Sequence, residues 1–257
     1  MNGITTYGAN IAVAIRTSLM DRTNFVLQSA GMVVNDVFFL ILWYMFFAGF
    51  KQVGGWGLND VALLLGLIMC TVGISGVFFG GYRDMAATIL RGELDALLTQ
   101  PKAVLARLLA RESIPTAWGD LAMGIWMLFT FANLTVAEIP AVLIALVCGT
   151  AVYIASAVVY ASLAFWFSGA RSFARDLTDF MLLFSSYPGA IYSGFTKVIA
   201  YSLLPAGFVV LLPVAFLRDP TWLGFAEIAG SAAAYCAAAV GLFYIGLRRY
   251  RRADAVS

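Results

Sequence analysis

The chain has 257 residues, of which 62% are hydrophobic and 12% charged, against roughly 45–50% and about 25% in an average soluble domain. There is too little polar surface to coat a water-soluble globule of this size, which excludes an ordinary soluble enzyme, a disordered chain and a nucleic-acid-binding domain. The net charge of +2 says little as a total; its distribution along the chain says more. No histidine is present, so the chain has no imidazole to offer as a base, triad member or metal ligand. Cys70, Cys148 and Cys236 lie far apart in apolar runs without a CxxC pair. They read as small buried hydrophobes rather than a zinc site or disulfide framework.

Residues 1–23 lack the basic leader and small-residue cleavage site of a signal peptide. Ile11, Ile15 and Leu19 share a helical face, with Arg16 and Arg22 off it, which predicts an amphipathic helix in the cytoplasmic membrane interface. A spanning helix needs roughly 20 mostly apolar residues. Runs of that kind cover 26–47, 61–80, 117–134, 141–167, a stretch from about 177 to Pro188, and 223–247. A further apolar stretch, 198–217, leaves six or seven crossings.

The basic residues choose between these counts. With six crossings and both termini cytoplasmic, every Lys and Arg except Lys51, Lys197 and Arg218 falls on the cytoplasmic side. A seventh crossing would put the RRYRR run at 248–252 outside, against the positive-inside rule. The stretch 198–217 is therefore predicted to enter from the outside and return. Pro205 and Pro213 each break a helix, and broken backbone is tolerated at membrane depth where it is buried in protein or lines a wet cavity. One kinked span with a different topology is the alternative.

The cytoplasmic segment 83–113 contains RDMAATILRGELDALLTQPKAVLARLLAR. Leu94, Leu97 and Leu98 form one apolar stripe; Val104, Leu105, Leu108 and Leu109 form another after Pro101. Gly92 precedes Glu93 and Asp95, acids that suit a helix's first turn. Two short amphipathic helices are predicted, one before Pro101 and one leading into the third span. Such a pair could dock a partner; a solvated loop on the headgroups fits the same pattern.

Small residues recur at packing distance: Gly76 with Gly80, and Ala226, Gly230, Ala234 and Ala238 on the last span. This spacing lets helix backbones approach closely in lipid, within or between subunits. Asp36, beside Asn35, falls mid-span, where a charge is expensive and should face protein or water. It reads as part of a transport path or as a structural hydrogen-bonding residue. Asp120 and Glu227 lie nearer span ends and can reach the interface. Asp176 and Asp179 stand one turn apart and could hold a metal, but Arg171 and Arg175 beside them favour a salt-bridged helix start. No P-loop, kinase or hydrolase motif occurs, so no catalytic residue is assigned.

The segment ILRGELDALLTQP resembles the membrane subunits of ABC-2-type exporters, in the branch with a G-x-L-D-x-L-L-x-x-P pattern. Gly92, Leu94, Asp95, Leu97, Leu98 and Pro101 fill it. Tyr187-Pro188, Pro205, Phe208 and Pro213 match that branch's second pattern. The resemblance spans essentially the whole chain, 1–257, as one transmembrane domain. It implies an all-α integral membrane fold with six transmembrane helices, an N-terminal interfacial helix, a cytoplasmic coupling helix, an outer re-entrant helix pair and a cytoplasmic tail at 248–257. It also implies a half-transporter in a bacterial-type inner membrane, pairing with an identical or sibling permease and surrounded by membrane lipids. Separate ABC-type ATPase subunits would bind ATP and Mg; this chain would bind no cofactor, metal or nucleic acid.

On that resemblance Arg91, Gly92, Glu93, Leu94, Asp95, Leu97, Leu98 and Pro101 would form the coupling helix that docks the ATPase. Tyr187, Pro188, Pro205, Phe208 and Pro213 would form the outer gate. Asn35 and Asp36 are candidates for the transport path. The expected function is export of an amphiphilic or hydrophobic substrate by alternating access. The competing readings are a secondary transporter or channel acting alone, which would show broken helices in both halves, and a membrane-embedded lipid-modifying enzyme, which would show clustered acids at one depth.

Overall fold

The computed structural model describes residues 3–52, 54–98, 103–132 and 134–254. It is 82% helical, without strands among the described residues. Helix α1 (Gly3–Ser18) is followed by a bend and α2 (Arg22–Gly49). Asp21 caps α2 by accepting the Asn24 N–H at 3.0 Å, so the expected interfacial segment 1–23 already contains the start of the next helix. The face of α1 that packs carries Ala14 and Ile15, the latter against Val77, Ile114 and Ala117. Leu19, expected on that face, lies in the bend and is exposed.

Helix α3 (Leu58–Phe79) leads through a 3-10 turn at Gly80–Tyr82 into the short helices α4 (Met85–Leu90), α5 (Asp95–Leu98) and α6 (Val104–Leu109). Then come α7 (Pro115–Thr130), opened by a proline that needs no helical donor there, and α8 (Ile139–Ser162), which tightens into a 3-10 turn at Leu163–Phe165. Helix α9 (Ala170–Ser185) ends ahead of Pro188. The expected in-and-out stretch is a pair of short helices: α10 (Gly194–Ala200), and a π-turn at Gly207–Leu211 running into α11 (Leu212–Arg218). Helix α12 (Trp222–Asp254) continues through the RRYRR run, so the tail expected from residue 248 begins as helix; 255–257 lie outside the described residues.

Four helical stretches are long and apolar enough to cross a membrane: Arg22–Gly49, Leu58–Leu90, Val136–Phe165 and Trp222–Arg252. The third and fifth expected spans are the 16-residue helices α7 and α9, each rising about 24 Å. The centre is α3 and α8. Gly73 of α3 lies against the backbone of Leu121, and Gly124 of α7 against the backbone N of Cys70; a Cβ at either would collide with main chain. Gly76 meets Ala117 and Gly80 the carbonyl of Glu112, so the expected GxxxG pair packs inside the chain. The α12 stripe does not. Ala226, Gly230, Ala234 and Ala238 are all exposed, and α12 instead buries Ile228, Ala232, Ala239 and Phe243.

Candidate functional site

The turn between α4 and α5, expected on the cytoplasmic side, is built from its glycine. Gly92 has φ +73°, a left-handed conformation that glycine adopts without a Cβ clash. Its N–H donates to the Ile89 carbonyl at 3.3 Å and the Glu93 N–H to the Thr88 carbonyl at 3.2 Å, the two bonds of a Schellman stop. Gly92 therefore ends a helix rather than preceding one. Of the expected helix over 91–100, the described residues form the single turn Asp95–Leu98, and 99–100 lie outside the described residues; ahead of that turn the Glu93 carboxylate is engaged elsewhere. It accepts from Arg91 Nε at 2.7 Å and Arg111 Nη1 at 3.1 Å. The hydrogen bond from Arg111, then the charge of Arg91, hold its carboxyl below the ordinary carboxylate range.

Three further contacts brace the turn. Asp95 Oδ1 accepts the Tyr250 hydroxyl of α12 at 3.0 Å. Arg107 of α6 donates to the Leu97 carbonyl at 2.9 Å. Leu94 is fully buried and Leu97 and Leu98 are half-buried against the same core. The predicted apolar stripe thus anchors the segment to its own chain. Arg91, Asp95 and Ala96 are the exposed residues, and Pro101 lies outside the described residues. Behind the turn, α6 crosses the 3-10 turn so closely that a Cβ on Gly81 would collide with the Leu108 carbonyl.

At the other end, Pro188, Pro205 and Pro213 are buried, and Tyr187 and Phe208 half-buried. Tyr187 packs edge-on to Trp43 with ring centres 5.9 Å apart, while Phe208 lies between Tyr201 and Tyr235, 5.6 Å from each. Pro213 cannot donate to the Val209 carbonyl four residues back, and that carbonyl rests on Gly149 of α8. The helix pair is fastened at both ends. Tyr160 donates to the Leu203 carbonyl at 2.5 Å. Arg218 pairs with Asp60 at 2.8 Å and lies 4.0 Å from the ring centre of Trp56.

Between these ends, Asp36 is 3% exposed and its Oδ2 has no hydrogen-bond partner. Asn35, paired with it in sequence, is exposed. Asp120, expected to reach the interface, is 5% exposed. It sits one and a half turns into α7, beside Gly119, which α2 approaches so closely that a Cβ would meet the Ser29 carbonyl. That glycine was the available signal that Asp120 is covered. Glu227 is exposed, as an interfacial residue would be. Asp36, Asp120 and Asp179 line one cavity of about 300 Å³. An adjoining cavity of about 350 Å³ adds Arg83, Asp84, Arg171 and Arg175 to Asp120 and Asp179. At the acid pair Asp176–Asp179 no three potential metal ligands converge among the described residues. Arg175 pairs instead with Asp84, at 3.9 Å.

The family model described as ABC-2 family transporter protein matches residues 33–253. The chain belongs to the ABC-2 transporter family. No curated protein and no solved structure matches it. As an ABC-2 permease it is a multi-pass membrane transport subunit rather than an ATPase, and permeases of this family work with ABC ATPase subunits. Both the turn at Gly92 and the cavities fall within the matched residues.

Proposed function

We propose that this chain is one half of an ATP-driven exporter in a bacterial-type inner membrane. Helices α2, α3, α7, α8, α9 and α12 make the six crossings, with both termini cytoplasmic and α10–α11 dipping in from the outer face. The 16-residue α7 and α9 fall short of a hydrocarbon core of roughly 30 Å; their flanking turns make up the difference. Two permeases, identical or sibling, pair, and each docks an ATPase that carries the ATP and Mg. ATP-driven approach of the ATPases moves the docked segments and the rigid spans behind them, and the cytoplasmic opening narrows as the outer one widens. The cargo is amphiphilic or hydrophobic.

The observation that carries this reading is the braced turn. It offers Arg91, Asp95 and Ala96 to solvent while Leu94, Arg107, Arg111 and Tyr250 tie it to α4, α6 and α12. Force applied at the exposed residues is transmitted to the span α12 and to the short helices α4 and α6 instead of bending a loop. The test is copurification with the partner ATPase. The variant Ala96→Arg, at an exposed position that makes none of the bracing contacts described above, is expected to insert normally and lose the ATPase. Unchanged copurification refutes the docking assignment. Robust ATP hydrolysis by the isolated chain refutes the half-transporter reading.

A further inference from the structure

We propose that the acidic chamber between α2, α3, α7 and α9 is a binding subsite for a lipophilic organic cation, the cargo class of the exporter; this rests on the reading of the chain as an export permease. The first observation is the bare oxygen of Asp36. That residue is 3% exposed, its Oδ2 has no partner, and it lines the 300 Å³ cavity. A carboxylate oxygen left bare in a membrane interior is costly, so its persistence points to a partner from outside the chain.

The second observation is charge. Asp36, Asp120 and Asp179 face this chamber and no Lys or Arg lines it. The arginines Arg83, Arg171 and Arg175 line the adjoining cavity, where they share a wall with Asp120 and Asp179. Of the three acids, only Asp36 lines no cavity with an arginine, so its charge is the one the chamber leaves to a ligand. The third observation is the wall. Phe39, Met69 and Leu183 are among the apolar residues of the wall, which also carries Asn35 and Ser186; the apolar part suits a hydrocarbon or aromatic body, and an aromatic face adds attraction for a cation. A small metal ion fits poorly, because no three ligands converge among the described residues. A delocalised cation needs diffuse negative charge and an apolar lining, and the chamber has both.

The experiment measures binding of radiolabelled tetraphenylphosphonium to the purified full chain in lipid nanodiscs. Saturable binding is expected. Asp36→Asn and Asp120→Asn should each weaken it about tenfold, the scale of one lost charge-assisted contact. Asp176→Asn, on α9 but outside both cavities, should leave it unchanged, and the neutral triphenylphosphine oxide should not compete. Asp36→Glu keeps the charge and should retain binding, which separates loss of charge from misfolding. Absence of saturable binding, indifference to both Asn variants, competition by the neutral compound, or displacement by calcium instead each overturns the proposal. The isolated permease binds the probe without an ATPase, so failed ATPase docking and failed cation binding are separately visible.

Discussion

Helices α2 and α3 are both long and apolar enough to cross a bilayer, yet 83% of the most apolar window of α3 is buried within the chain and 6% of that of α2. Hydrophobicity does not separate them, because lipid tails are as apolar as leucine and give helices no reason to leave them. Small residues do. Gly66, Gly73 and Gly76 of α3 each sit against α7 with no room for a Cβ, while Gly31 and Gly49 of α2 have nothing within 4 Å. Helix α2 is held by few inward residues, Asp36, Trp43 and Phe47, and exposes Val34, Phe38, Ile41 and Met45. The lesson is that glycine marks the protein-facing side of α3 and a carboxylate marks that of α2.

The strongest way to break this contrast is a matched pair of glycine substitutions. Gly73→Leu should collide with the backbone of Leu121 and cost about 3 kcal/mol or more, read as loss of a monodisperse, cooperatively melting protein in detergent. Gly31→Leu should change stability by less than about 0.5 kcal/mol. Equal sensitivity at both positions would mean that α2 is covered by something the chain does not contain.

The next effect has the opposite sign. Asp36→Leu removes a buried oxygen without a partner, so thermal stability should rise, by about 1–3 kcal/mol, while transport by the assembled complex falls. A fall in stability would mean that Asp36 holds α2 in place and is not kept for a ligand. At the turn between α4 and α5, Gly92→Ala should cost about 1–2 kcal/mol, because alanine resists the left-handed conformation. Its neighbour Tyr250 Oη, 3.5 Å from the added Cβ, need not move. Faster amide exchange at Glu93 and Asp95 would report it.

The smallest effect is that of pH on the same turn. Glu93 has its carboxyl held below the ordinary value of 4.5 by Arg111 and Arg91. A group with a lowered folded pKa contributes stability above its unfolded value and loses it as pH falls through the folded one. Exchange at Glu93 and Asp95 should therefore accelerate on acidification below 4.5, and Arg111→Ala should reduce that dependence to the part that Arg91 holds. Acceleration undiminished in Arg111→Ala would show that another group locks the turn.

Much of this was legible in the sequence. The apolar runs anticipate the positions of the long helices, because a backbone in lipid must satisfy its hydrogen bonds within the segment. Pro188, Pro205 and Pro213 mark where helices stop or change pitch, since the missing donor is a local fact. The segment before Pro101 and that after it do form separate helices. Helix length was less legible there: Gly92 and Glu93 read as a helix start, and the competing Schellman stop and the reach of Arg111 from 18 residues away decided otherwise. The acid site was half legible. Asp36 stands out mid-span by cost alone, whereas Asp120 and Asp179 join it only through the packing of α7 and α9. The small-residue stripe at Ala226, Gly230, Ala234 and Ala238 was misleading as a sign of packing within the chain; it faces outward.

The amino-acid sequence by itself therefore determined a helical membrane protein, the order of its long helices and the places where they break, because hydropathy, proline and glycine act over a few residues. Only the tertiary structure decided which helix lies inside, which carboxylates share a chamber and which leucines of the turn at Gly92 are anchors. Those outcomes depend on close backbone approach and shape, which hydropathy cannot distinguish when protein and lipid are equally apolar.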